Sequence, residues 1–374
     1  MEFTGKFLRF LAVFALSIFL LPAAVQAQHY KQTNLVSDIM GMAPVHDPNL
    51  KNPWGLTRSS GSPWWIGNNN SGTSTLYDGN GNPFPPPQNG GPLVVTVPPP
   101  RFAPGTQSAP TGVVFNGSPT DFKAAHFIFA TEDGTISSWA SGQNAVLRVD
   151  NSDNGSANGA VYKGATSADI NGQRFLYVTN FRSARVEVYD TNFTRAHLGE
   201  DAFEAEGIPS GFAPFNIQNI GGSLFVTYAK QNAARHDDVA GAGNGFVRIF
   251  TPSGRQIGSL EHGDWLNSPW GVVWTTRDFG EFSNAILVGN FGSGWIAAFN
   301  GFTYKFMGFV KAPKAPNAPD DSILTIDGLW SLTFANDGIA GLANTLYFTA
   351  GINGEQDGLF GTITPVDGLD GDEE

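Results

Sequence analysis

His236-Asp237-Asp238 sets two adjacent carboxylates beside an imidazole. Such a trio can ligate a metal ion or divide acid and base roles between neighbouring groups. It lies in a long insertion between two strand-like runs, residues 224–228 and 246–250. His236, Asp237 and Asp238 are therefore the candidate metal ligands, with calcium the candidate ion, because calcium takes ~6–8 oxygen ligands. The competing reading is a solvated loop in which an aspartate caps a turn. His46 and His262 form a second set, each placed seven residues before a Pro-Trp-Gly, with Asp47 and Asp264 close by. Two imidazoles are too few for a zinc site, so repeat-derived redundancy is the expected reading.

Three further sets have structural explanations that compete with chemical ones. Asn68, Asn180 and Asn290 recur at the ends of strand-like runs. Their amides could ring a channel, but Asn in such places commonly takes a left-handed turn and bonds its own backbone. Asp150-Asn151-Ser152-Asp153-Asn154-Gly155 has the first half of a calcium loop. Val161 stands where that loop needs a bidentate Glu, so an Asx-rich turn is expected instead. Trp54, Trp270 and Trp330 occupy matching repeat positions. Their regularity points to core between blades rather than to a sugar-stacking surface. Trp64 and Trp65 are adjacent on one strand and must face opposite ways, so one of them is expected to be exposed.

The sequence contains no Gly-x-Ser-x-Gly elbow, phosphate loop, dinucleotide fingerprint or His-Glu-x-x-His zinc motif. It also contains no Cys, which removes thiolate chemistry, Cys-ligated metals and disulfide staples together. A formal charge of −12 argues against nucleic acid and anionic membrane surfaces. Only 14% of residues are charged, while 46 Gly and 24 Pro supply the turns that an all-β chain of many short strands needs.

The elements that must carry these residues repeat. A motif of the form Pro-or-apolar, aromatic, small, aliphatic begins at Pro53, Pro110, Pro214, Pro269 and Leu329, with a degenerate copy at residues 162–165. The spacings are 57, 52, 52, 55 and 60 residues. Each motif is followed by a second strand-like run, such as residues 176–180 or 286–290, and then by a third, such as residues 186–190 or 296–299. A weaker fourth run lies between units, at residues 93–97, 145–149 and 306–310. The sixth unit lacks its fourth run, whereas residues 33–36 offer a spare strand ahead of the first motif. The expected fold is all-β, a six-bladed β-propeller whose ring is closed by an N-terminal strand completing the last blade. No helix-period run of useful length accompanies it.

Residues 1–27 read as a signal peptide: Lys6 and Arg9, an apolar run broken only by Ser17, Pro22, and Val25-Gln26-Ala27 at the cleavage site. The run is short of the ~20 apolar residues of a spanning helix. The expectation is an exported protein, periplasmic or extracellular, with one propeller domain over residues 28–365 and an acidic disordered tail over 366–374. No membrane anchor is expected after cleavage, and a monomer is expected.

Several stretches resemble an uncharacterised family of exported bacterial proteins. They are Leu266-Asn267-Ser268-Pro269-Trp270-Gly271, Leu287-Val288-Gly289-Asn290-Phe291-Gly292, Asp327-Gly328-Leu329-Trp330, Tyr347-Phe348-Thr349-Ala350-Gly351 and Gly358-Leu359-Phe360-Gly361. The segments 236–241 and 245–247 follow the same pattern. Some members of that family carry a C-terminal sorting anchor with a Pro-Glu-Pro motif, whereas this chain ends in Asp370-Gly371-Asp372-Glu373-Glu374. The resemblance implies a propeller, more distantly similar to NHL-type and lactonase-like propellers, without an established activity. The functional expectation is a scaffold binding a protein, glycan or small ligand. The alternative is a calcium-type metal-dependent hydrolase or lactonase with its site in the central channel.

Overall fold

The computed structural model describes residues 29–313 and 322–366. The expected signal peptide, and the expected acidic tail apart from Val366, lie outside the described residues. The chain opens with β1 (His29–Ser37) and the short β2 (Val45–His46). Blade one is β3 (Pro53–Thr57), β4 (Trp64–Asn68), β5 (Thr73–Tyr77) and β6 (Val94–Thr96). Blade two is β7 (Pro110–Phe115), β8 (Phe127–Thr131), β9 (Thr135–Trp139) and β10 (Val146–Asp150). Blade three is β11 (Tyr162–Ile170), β12 (Gln173–Asn180), β13 (Arg185–Tyr189) and β14 (Arg195–Ala196). Blade four is β15 (Phe212–Ile220), β16 (Ser223–Lys230), β17 (Gly245–Phe250) and β18 (Gln256–Ser259). Blade five is β19 (Pro269–Trp274), β20 (Ala285–Asn290), β21 (Ile296–Asn300) and β22 (Phe306–Phe309). Blade six is β23 (Leu329–Phe334), β24 (Leu346–Ala350) and β25 (Leu359–Val366).

The fourth strand of blade six is β1. It runs antiparallel to β25 from His29 opposite Val366 to Ser37 opposite Leu359, with a bulge between Asn34 and Val36. The strand missing from one end of the chain is thus supplied by the other, and the six-bladed ring closes as the repeat count predicts. The sheet reaches Val366, one residue past the expected domain boundary.

The repeat motif has a mechanical meaning. Every inner strand carries a register shift at it: Pro53/Leu56, Pro110/Val113, Tyr162/Gly164, Pro214/Asn216, Pro269/Val272 and Leu329/Leu332. A bulge re-aims one side chain, here the residue in the aromatic place, toward the axis of the ring. The small residue after it is demanded by the next blade. A Cβ on Gly55 would lie 2.3 Å from the Thr111 carbonyl oxygen, and one on Gly271 would lie 2.6 Å from that of Trp330.

Burial follows the same plan. Six apolar clusters each join one blade to the next. A seventh lies on the axis and gathers Trp54, Phe181, Phe215, Trp270 and Trp330. Trp54, Trp270 and Trp330 therefore belong to the axial cluster and not to the core between blades. Trp64 and Trp65 do face opposite ways, but both are buried. Trp64 packs on Tyr347 of blade six, and Trp65 stacks on Phe127 of blade two. The expectation of exposure assumed one wet face, and a propeller blade has a neighbour on each side. Strands such as β4 and β20 are accordingly buried along their whole length.

Candidate ligand-binding site at the channel mouth

One end of the axis receives two sets of backbone in each blade: the approach to the inner strand and the turn between second and third strands. From these, side chains of different blades meet. Lys163, at the start of β11, donates to the Glu132 carboxylate from the turn after β8. The same ammonium lies 3.4 Å from Asp237 Oδ1, from the insertion between β16 and β17. Asn69, after β4, donates its amide to Glu132 Oε2 at 2.8 Å. Asn52 donates to Glu355 Oε2 at 2.8 Å and accepts the Trp330 indole N–H at 3.0 Å. Asn52 does both because its amide has a donor and an acceptor, and its backbone holds a left-handed φ of 46°, a conformation Asn tolerates. The Trp270 indole donates to the Lys163 carbonyl at 3.0 Å, so blade five is tied to blade three across the axis.

Below this polar layer the channel is filled. Trp54 and Trp330 stack at 3.5 Å, and Trp270 meets them edge-on at 6.1 and 5.9 Å. Phe291 stacks on the other side of Trp330 at 4.0 Å. This aromatic layer is buried, with Trp54, Trp270 and Trp330 each no more than 3% exposed, and the carboxylates form the rim above it. An open cavity lies elsewhere. It measures about 350 Å³, at the opposite end of blades one and two, and is lined by Trp65, Phe127, Trp139 and Phe84.

The electrostatics of the mouth are uneven. The Lys163 side chain is only 3% exposed. Burial alone would lower its pKa, but Glu132 and Asp237 outweigh that, and the ammonium ends above its ordinary value. Asp237 is pulled down to about 2 by the hydrogen bond from His236, 2.7 Å away, with Lys163 adding to it against the effect of burial. Its neighbour Asp238 moves the other way, raised by burial despite the Ser268 hydroxyl and Lys163. Glu355 is raised by burial against the hydrogen bond from Asn52, and Asp133 is raised by burial against the Ala109 amide. Burial thus raises carboxylates that Lys163 does not contact directly.

The residues singled out from sequence divide accordingly. His236 and Asp237 stand at the mouth with Glu132, one ligand atom from each lying within 4.8 Å of the others. Asp238 is also at the mouth but outside that group. His46 and His262 are held by local backbone, through the carbonyls of Asp38 and Gly243, and His262 stacks on Phe246. Asn68, Asn180 and Asn290 are buried hydrogen-bonding residues, none with a left-handed φ, which corrects the expected turn conformation. Asn68 bonds Thr73 and Thr75, Asn180 bonds Glu187, and Asn290 bonds the carbonyls of Trp265 and Trp295. Asp150 accepts from Ser152 and from the Arg101 amide, as an Asx-rich turn does. Lys163, Glu132, Glu355 and Asn52 were not foreseen. The one available signal for Lys163 was the degenerate motif at residues 162–165, where lysine takes the aromatic place.

No family model matches the chain. It is 29% identical over 357 residues to uncharacterized protein R648 of Acanthamoeba polyphaga mimivirus, covering 89% of this chain and 80% of that one. It is 27% identical to uncharacterized protein L690 of the same virus, covering 89% and 85%. Among solved structures it is similar to a catalytically inactive virginiamycin B lyase from Staphylococcus aureus with quinupristin. That likeness has a TM-score of 0.50 at 11% identity, over 91% of this chain and 100% of the other. It is also similar to a protein of unknown function from Bacteroides thetaiotaomicron, with a TM-score of 0.50 at 12% identity, over 91% and 76%. At these identities the structural likeness establishes the propeller fold alone. Among the described residues no helix is long and apolar enough to cross a membrane.

Proposed function

We propose that the protein is an exported propeller that binds a small ligand or glycan carrying a basic group at this channel mouth. The supporting observation is convergence: the side chains of Asn52, Asn69, Glu132, Lys163, Asp237 and Glu355 come from blades one, two, three, four and six, and Trp270 of blade five ties in below. Asp238 and Glu355 are held above the ordinary carboxylate range by burial, so an incoming cation or N–H donor would relieve them.

A binding role is favoured over catalysis by how the groups are used. Both Glu132 oxygens accept hydrogen bonds from the protein, and the imidazole at the mouth, His236, is bonded to Asp237. The hydrolase alternative rests on the opposite shifts of the neighbours Asp237 and Asp238, a pattern that can separate an acid from a base.

The test is tryptophan fluorescence titration with glucosamine oligomers and spermidine, on wild type, Asp238→Asn and Glu355→Gln. Saturable binding that weakens about tenfold in either variant, ~1.4 kcal/mol, is expected. Absence of a saturable response to either probe would overturn the reading. Turnover of a lactone or sugar ester, abolished in Asp238→Asn, would replace it with the hydrolase.

A further inference from the structure

The candidate cation that the sequence offers for this channel is calcium, with His236, Asp237 and Asp238 as its candidate ligands against the reading of a solvated loop. The donor set does not fit that ion. Calcium takes ~6–8 oxygens at about 2.3–2.6 Å. The group that comes together is Glu132, His236 and Asp237, two carboxylates and an imidazole. On those same two carboxylates sits the Lys163 ammonium. The second Glu132 oxygen faces the Asn69 NH₂, an orientation fixed because a carboxylate can only accept. The amide nearest to Asn69 also turns a nitrogen inward, since Asn52 Nδ2 serves Glu355. Glu132, Asp237 and Glu355 are thus met by N–H donors, where a metal site would gather further oxygen ligands.

The surroundings of Nζ suit an ammonium in another respect. It stands 5.2 Å from the centre of the Trp54 ring and 5.9 Å from that of Phe181. Ring faces on one side and carboxylates on the other are the arrangement that recognises organic ammonium ions. Here the occupant is tethered, since Lys163 is the second residue of β11 and the bulge there turns its side chain into the axis.

We propose that the cation of this channel belongs to the chain itself: Lys163 fills an ammonium cage of two carboxylates and two ring faces, and the mouth takes up no divalent metal. The inference concerns the layer beneath the rim and holds whether or not the rim binds a basic ligand. Its consequence is that the cage, emptied, selects a primary alkylammonium ion over calcium, manganese or zinc.

Two experiments test it. Chelator-stripped wild type is titrated calorimetrically with the chlorides of calcium, manganese and zinc. No binding sensitive to Glu132→Gln is expected, and no change in melting temperature. Lys163→Ala, which lacks the atoms of propylammonium, should melt lower than wild type and regain most of the loss with n-propylammonium chloride. Tetramethylammonium, which has no N–H, and calcium should not restore it. Lys163→Met keeps the stem and fills the cage, so it should not respond to propylammonium. One divalent ion bound per wild-type chain and lost in Glu132→Gln would overturn the proposal, whether or not Lys163→Ala folds. Restoration of Lys163→Ala by calcium instead of propylammonium would overturn it as well. Failure of spermidine or glucosamine oligomers to bind would count against the rim alone.

Discussion

Blades five, six and one place Trp270, Trp330 and Trp54 on the axis, whereas blades two and three place Thr111 and Lys163 at the same step of the repeat. The backbone device is identical on both sides, a bulge that turns one side chain inward. On the tryptophan side the result is packing: three indoles in contact, capped by Phe291. On the other side it is charge: a buried ammonium, with carboxylates brought in from the turns of neighbouring blades. Thr111 marks the boundary, its hydroxyl satisfied by the carbonyls of Ala130 and Tyr162. A fixed position in a symmetric ring can therefore be spent on stability in one half and on chemistry in the other, at the expense of symmetry in the side chains alone.

The comparison can be broken most severely on the packed side. Trp330 touches Trp54, Trp270 and Phe291. Trp330→Ala should lower the unfolding free energy by about 3–5 kcal/mol, measured by chemical denaturation. It should also leave Asn52 Oδ1 without its indole partner. A loss below about 1 kcal/mol would mean that the indoles are not a packed plug. Asn52 joins the halves, and Asn52→Ala removes its bonds to Trp330 and Glu355 together. A loss of about 1–3 kcal/mol is expected, with Glu355 left as a less supported carboxylate.

The smallest effect should carry the opposite sign. Glu355 has its folded pKa raised by burial, so its stabilising contribution is present below the unfolded value and is lost as pH rises through the folded one. Glu355→Gln should therefore melt higher than wild type at pH 7, with the difference closing toward pH 4. Asp237 runs the other way. Its folded pKa of about 2 gives stability present above the unfolded value near ~4 and lost as pH falls toward 2. Wild type and Asp237→Asn should accordingly converge in melting temperature as pH falls to about 2 and below. Divergence there would show that Asp237 is not held by His236 and Lys163.

The ring was legible in sequence because its signal repeats six times in a nearly constant spacing, and because the absent strand of the last unit could be sought at the other terminus. What spacing cannot show is which way a bulge aims a side chain. The tryptophans were thus read as buried but placed between blades, when the register shift puts them on the axis. Exposure of Trp64 or Trp65 was inferred from alternation, which holds for a sheet with one wet face and fails where blades pack on both. The mouth was half legible. His236-Asp237 drew attention as a compact cluster, but Glu132, beside Asp133, and Glu355 lie far apart in sequence, in the connections of blades two and six. Only the convergence of those connections on one axis gives them meaning. Lys163 was hidden inside the copy that fitted the repeat least well, and the misfit itself was the clue.

The measurement that bears most directly on the charged half being organised by Lys163 is a double-mutant cycle. Urea denaturation of wild type, Lys163→Met, Glu132→Gln and the double variant at pH 7 gives the coupling between the two groups. About 2 kcal/mol or more is expected, with each single variant destabilised because it strands its buried partner. Additivity within about 0.5 kcal/mol would mean that the ammonium and the carboxylate do not depend on one another. In that case Lys163 would be a buried lysine beside the mouth and not the group that holds it together.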